Sequence, residues 1–310
     1  MIQAYLFDQF RIHYAGTPLS FEARKAQELF AFLLIHMDRP IARELIASRL
    51  WGETCTTTKS RAYLRKALWK LQAVLRDVDT GPKSIFVVDG DAVSIDGSRQ
   101  LWTDIHELKQ AYESVRDKPG PDIDRLSMQR IKAAIDLYAG DLLSGWFSDW
   151  CIAPRSRLKQ MYRVLLDKLL TWAVSAREYE TGLEAAHRIL VMDRACERAH
   201  HQLIRLYACT GRRSDALRQF EVCEAALEEE LGVAPTRSTI HLIQDIRSGR
   251  IPEAKDRTLP LSPPPTTLLS NTSQNDSSVV VTEESLDRLS DRISGLEDQM
   301  QLLIRVLEEA

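Results

Sequence analysis

The chain has 310 residues, enough for two domains of ordinary size, and its 44% hydrophobic and 27% charged residues are the balance of a globular protein in water. No apolar run approaches the ~20 residues needed to span a bilayer, so a helical membrane protein is excluded and no membrane partner is expected. The net charge of −3 does not announce a polyanion partner, but the charge is unevenly spread: residues 1–78 hold twelve Lys/Arg and seven Asp/Glu, a net of +5, whereas the segment from Thr282 onward is acidic.

Residues 2–21 read as short strands. Ala4–Phe7 and Phe10–Tyr14 are rich in β-formers, and Ala15-Gly16-Thr17-Pro18 is a turn. A helix follows over roughly Arg24–Met37, with Leu29, Phe30, Leu33 and Leu34 on one face. A second, Ala42–Trp51, opens after Pro40 and stops at Gly52; a third runs from about Lys59 to Arg76. After Gly81-Pro82, the runs Ile85–Val88 and Ala92–Ile95 flank Asp89-Gly90-Asp91, a strong short-range hairpin signal. The order over residues 1–100 is strands, three helices, hairpin.

From Asp104 to about Ile246 the pattern is helical only. Near its end a 34-residue period matches Gly182 with Ala216, Leu183 with Leu217, Ala186 with Phe220 and Ile189 with Cys223, the spacing of a tetratricopeptide repeat. Residues 251–281 place Pro252, Pro260, Pro263, Pro264 and Pro265 among Ser, Thr and Asn, the composition of a disordered linker. In residues 282–309, Leu286, Leu289, Ile293, Leu296, Met300, Leu303 and Leu307 are spaced 3-4-3-4-3-4, an a/d heptad seam. Such a seam predicts a coiled-coil helix and a homo-oligomer; the alternative is a lone amphipathic helix docked on its own protein. The fold class is thus mainly α with a small β part. A winged helix-turn-helix (1–100) leads to an all-α tetratricopeptide-like domain (104–250), a linker and a C-terminal coiled-coil helix.

The helix Lys59–Arg76 carries the sharpest clue. At 100° per residue Leu64, Leu68, Leu71 and Leu75 form one stripe, while Lys59, Ala62, Tyr63, Lys66, Trp69, Lys70 and Ala73 lie opposite, with Arg61 and Arg65 on a shoulder. Exposed helices normally mix charge signs; this helix has no acid at all. Cations neutralise phosphates, hydroxyls such as that of Ser60 hydrogen-bond them, and Arg reaches guanine edges, so the pattern suits double-stranded DNA. In a helix-turn-helix followed by a hairpin, the second helix of the pair enters the major groove and the hairpin touches the neighbouring backbone. The hairpin tip is acidic here, which makes Lys83 and Arg99 at its ends the better phosphate contacts. The competing reading is a solvated basic face.

Four stretches then bear a resemblance. Leu45–Gly52 ends in Leu-Trp-Gly. Arg61–Leu71 forms the basic helix. Leu137–Gly145 reads Leu-Tyr-Ala-Gly-Asp-Leu-Leu-Ser-Gly. The fourth runs from His187–Leu190 through Leu206-Tyr207 and Gly211-Arg212 to Glu230-Leu231-Gly232-Val233-Ala234-Pro235-Thr236. Over roughly residues 1–250 the chain resembles the antibiotic regulatory protein (SARP) transcriptional activators, which join an OmpR-like winged helix to a bacterial transcriptional activator domain. The resemblance implies binding to direct repeats near promoters and recruitment of RNA polymerase. Arg194 departs from the proline usual in such repeats, and the linker and heptad helix are outside the common pattern.

Enzymatic chemistry finds no support. There is no P-loop, no Rossmann glycine fingerprint and no acidic cluster of a receiver domain. Ser156-Arg157-Leu158-Lys159 fits Ser-x-x-Lys without its partner motifs, and His187, His200 and His201 fit no usual zinc spacing. No cofactor and no metal are expected. Cys55, Cys151, Cys196, Cys209 and Cys223 form no Cys-x-x-Cys pair and, with no signal-peptide pattern, point to reduced thiols in a cytoplasm, which the resemblance implies is bacterial, with the protein at the nucleoid. The alternative function is a protein-interaction scaffold whose winged helix does not bind DNA.

Overall fold

The computed structural model describes residues 1–21, 23–52, 56–76, 85–95 and 101–250. Lys83, Arg99 and the whole heptad seam from Leu286 to Leu307 lie outside the described residues. The chain divides into one unit, Met1–Leu259, and residues 260–310.

Alternating burial at Ile2 and Ala4 makes β1 (Ile2–Tyr5) a one-faced strand, paired antiparallel with β2 (Arg11–Tyr14). Short β3 (Thr17–Pro18) extends the sheet beyond β2. The first strand begins and ends two residues earlier than its β-formers predict. Leu6 and Phe7 are buried, but their amides donate to the carboxylate of Asp104, at 2.8 and 2.9 Å, instead of to a strand.

Three helices follow: α1 (Arg24–Ile35), α2 (Arg43–Trp51) and α3 (Thr57–Arg76). Between α1 and α2 lies β4 (Ile41–Ala42), which the sequence pattern does not anticipate. The hairpin is present as β5 (Phe86–Asp89) and β6 (Ala92–Ile95), in a register that puts Asp89 opposite Ala92. Its two-residue turn places Gly90 at φ +55°, where a Cβ would be strained. β4 pairs with β6, giving the sheet order β4-β6-β5.

A last strand, β7 (Leu101–Thr103), runs parallel to β1 and completes the order β3-β2-β1-β7. It leads straight into α4 (Asp104–Val115), whose N-cap Thr103 accepts from the His106 amide at 3.1 Å. The helices α5 (Arg125–Asp136), α6 (Ile152–Ala176), α7 (Tyr179–Met192), α8 (Glu197–Cys209), α9 (Arg213–Leu231) and α10 (Arg237–Arg247) follow. The 34-residue period corresponds to the helix pairs α7–α8 and α9–α10. Gly182, Ala186 and Ile189 on α7, and Ala216, Phe220 and Cys223 on α9, are all buried. Of the matched leucines, Leu183 is buried and Leu217 partly so.

The two halves share one core. Its buried cluster runs from Ile2 and Ala4 through α1 and α3 to α4, α6 and α8. Aromatic contacts cross the join: Phe7 meets Tyr138 at 4.6 Å and Phe32 meets Trp150 edge-on at 5.4 Å, while Tyr138 is backed within the helical part by a stack on Tyr162 at 3.9 Å. Backbone bonds cross it too, with Leu143 N–H donating to Leu6 O at 2.9 Å and Ser144 N–H to Asp8 O at 2.7 Å. Arg155 of α6 fixes this loop from behind. Its guanidinium donates to the carbonyls of Leu142 (2.9 Å), Leu143 (3.1 Å) and Trp146 (2.9 Å). The Leu137–Gly145 stretch is therefore the seam between the N-terminal sheet and the helical part.

Candidate nucleic-acid interface

The candidate site is the outer face of α3. Leu64, Leu68, Leu71 and Leu75 are all buried, as their spacing predicts, against a core that includes Leu29, Leu33 and Leu34 of α1. Burying one stripe fixes the rotation of the helix, so the opposite face is forced outward. Lys59, Arg61, Ala62, Tyr63, Arg65, Lys66, Trp69 and Ala73 are exposed there, and Lys70 is half-buried. Trp69 keeps 68% of its surface in solvent and Tyr63 45%, large exposures for aromatic residues on a helix so well anchored.

Ser60 does not belong to this face. It is buried, and its hydroxyl donates back to the Thr56 carbonyl at 3.1 Å, which satisfies it within the first turn of α3. On the helical wheel Ser60 sits four residues before Leu64, in line with the buried stripe, so its hydroxyl turns inward.

Arg61 is exposed but has a partner that no sequence period reveals. Its Nη2 lies 2.6 Å from Oε1 of Glu44, in the first turn of α2. Among the described residues no acidic side chain pairs with Lys59, Arg65, Lys66 or Lys70.

The wing is tied to the helix pair. β4 lies directly before α2, and the Arg43 amide donates to Asp91 O at the hairpin turn, at 2.8 Å. The described wing residues 85–95 contain no cation; β5 exposes Val87 and Val88, and the tip exposes Asp89 and Asp91. Between the described wing and α3, the exposed cations therefore lie on α3.

Two histidines of the repeats, His187 and His200, are held by hydrogen bonds inside the helical part. Buried His200 hydrogen-bonds the Arg194 carbonyl at 2.9 Å and Gln219 at 2.7 Å, and burial pulls its pKa below the usual imidazole value. His187 meets the Tyr207 hydroxyl at 3.1 Å. Among the described residues no group of three His, Cys, Asp or Glu could hold a metal ion, and no helix is long and apolar enough to cross a membrane. Ser156 and Lys159 are exposed on α6.

Residues 103–247 match the family described as the bacterial transcriptional activator domain. Among solved structures the chain is similar to Mycobacterium tuberculosis EmbR, described in complex with a low-affinity phosphopeptide. That match has 17% identity and a TM-score of 0.61, over 82% of this chain and 66% of that one. It shows a shared fold, and the chain spans just under two thirds of EmbR. A second structure, the C-terminal tetratricopeptide-repeat-containing domain of a Plasmodium falciparum FK506-binding protein, is 12% identical over 47% of this chain and 92% of that one, with a TM-score of 0.34. No curated protein matches the chain.

Proposed function

We propose, from the match of residues 103–247 to the bacterial transcriptional activator domain, that this protein is a SARP-like activator that binds double-stranded DNA sequence-specifically through α3 and activates transcription. The observation that carries the proposal is the acid-free outer face of α3, held in one orientation by a fully buried leucine stripe. In this reading α3 enters the major groove. Lys59, Lys66 and Lys70 neutralise phosphates, Arg61 and Arg65 reach base edges, and Tyr63 and Trp69 supply apolar surface.

The helical domain would meet RNA polymerase beside the promoter, and the C-terminal heptads would join copies on direct repeats. Lys83 and Arg99 would add backbone contacts at the ends of the wing. These functions belong to the bacterial cytoplasm, at the nucleoid, and need no cofactor.

Chromatin immunoprecipitation of the tagged protein in its own host, followed by binding of the enriched sites in vitro, tests this. Discrete peaks sharing a short direct repeat are expected. No enrichment under several growth conditions, together with no binding to DNA at low salt, would leave the interaction-scaffold function in its place.

A further inference from the structure

The Glu44–Arg61 pair places an acidic side chain directly against a cation of the α3 face. Glu44 is the sole acidic residue on α2 or α3. Its carboxylate and the Arg61 guanidinium are 57% and 58% exposed, so the pair lies at the surface and not in the core. An exposed pair of this kind adds little to the stability of the fold. Near a polyanion it matters more, because a carboxylate within a Debye length of the phosphates repels them. The pairing also occupies one N–H of a guanidinium that has five, arranged in a rigid fork. A guanidinium held along one edge can still present its remaining donors to a base, at a smaller ordering cost on binding.

We propose, resting on the DNA-binding function above, that Glu44 is a specificity-determining residue that acts through Arg61. It holds the guanidinium in a fixed orientation beside α3 and weakens binding to DNA in which Arg61 merely meets a phosphate. On a matched site Arg61 donates to a base edge while Glu44 keeps its hold, so the carboxylate's repulsion is partly compensated. On unmatched DNA the carboxylate competes with phosphate for the same donors. Glu44 thereby lowers non-specific affinity more than specific affinity, a use of repulsion to gain discrimination.

The test compares the full-length wild type with Glu44→Gln, Arg61→Ala, the double variant, and Asp89→Asn as a control that removes an acid from the wing tip. Each is titrated with a random-sequence duplex and with the duplex recovered by selection from a randomised pool. Glu44→Gln should bind the random duplex roughly two- to five-fold more tightly, with a salt slope steeper by about one as Arg61 is released to a phosphate. It should gain less on the selected duplex, so the specificity ratio falls. Asp89→Asn should leave the ratio unchanged, and Glu44→Gln should leave it unchanged when Arg61 is already Ala. Thermal melts check that each variant is folded; both Glu44 and Arg61 are exposed, so no loss of fold is expected. If Glu44→Gln and Asp89→Asn raise both affinities alike, or if the Glu44 effect persists without Arg61, the role proposed for Glu44 is overturned while DNA binding stands. If the wild type binds neither duplex at low salt, DNA binding itself is overturned, and this role with it.

Discussion

Asp104 is a buried carboxylate at the start of α4, and three backbone amides (Leu6, Phe7 and Ile105) donate to it. Burial raises its pKa from 3.8 to about 6 against the opposing pull of those amides and of Arg11. A folded-state value above the unfolded one favours folding most below the unfolded value. That contribution, up to about 3 kcal/mol, is lost as the pH rises through about 6. Asp104→Asn is neutral at every pH, so its melting temperature relative to wild type should shift in the variant's favour between pH 4 and pH 7. A constant gap would mean that Asp104 titrates normally. Trp69 poses the opposite case, a large apolar side chain left in water. Trp69→Ala should leave the melting temperature nearly unchanged and weaken DNA binding about ten-fold, in keeping with the weight of tryptophan at interfaces. A loss of stability with unchanged binding would place Trp69 in the fold rather than the interface. Most of the α3 face was legible from the sequence because one helical period sorts buried from exposed residues. Ser60 misled because a hydroxyl near a helix start suits either a phosphate or its own backbone. Glu44 was invisible because it reaches Arg61 from a neighbouring helix, 17 positions away.

Among the elements, the three helices of the winged part, the hairpin and the repeat helices follow the periods written in the chain. β4 and β7 do not. They are two and three residues long, too short to show alternation, and their partners lie 50 or more positions away: Ile41 opposite Val93, Ile2 opposite Leu101. The Leu137–Gly145 stretch was recognisable as a motif, yet its purpose was not, since Leu6, Asp8 and Arg155 complete it from other parts of the chain. Arg155→Ala should release this loop. Three carbonyls lose a charged donor, for an expected destabilisation of about 2–4 kcal/mol in urea unfolding. Hydrogen exchange should localise the change to the amides of Leu143 and Ser144, and unchanged protection there would show that the β1 side alone holds the seam.

For the whole molecule, the expectation of separate parts at 1–100 and 104–250 meets a structure in which both contribute to one core, with β7 carrying the start of the helical part into the N-terminal sheet. Chain order alone could not show this, because the shared surface is made of residues that each look like ordinary core. A partner bound to the helical domain would thus contact a part whose buried core also takes in α3. The central claim remains that α3 binds DNA by its basic face, and the most direct test is the salt dependence of binding by wild type and by Lys66→Glu/Lys70→Glu. The charge-reversed protein should remain folded, bind all duplexes more weakly, and show a salt slope shallower by about two, one for each phosphate no longer neutralised. An unchanged slope with unchanged affinity would contradict the account and take α3 out of the interface.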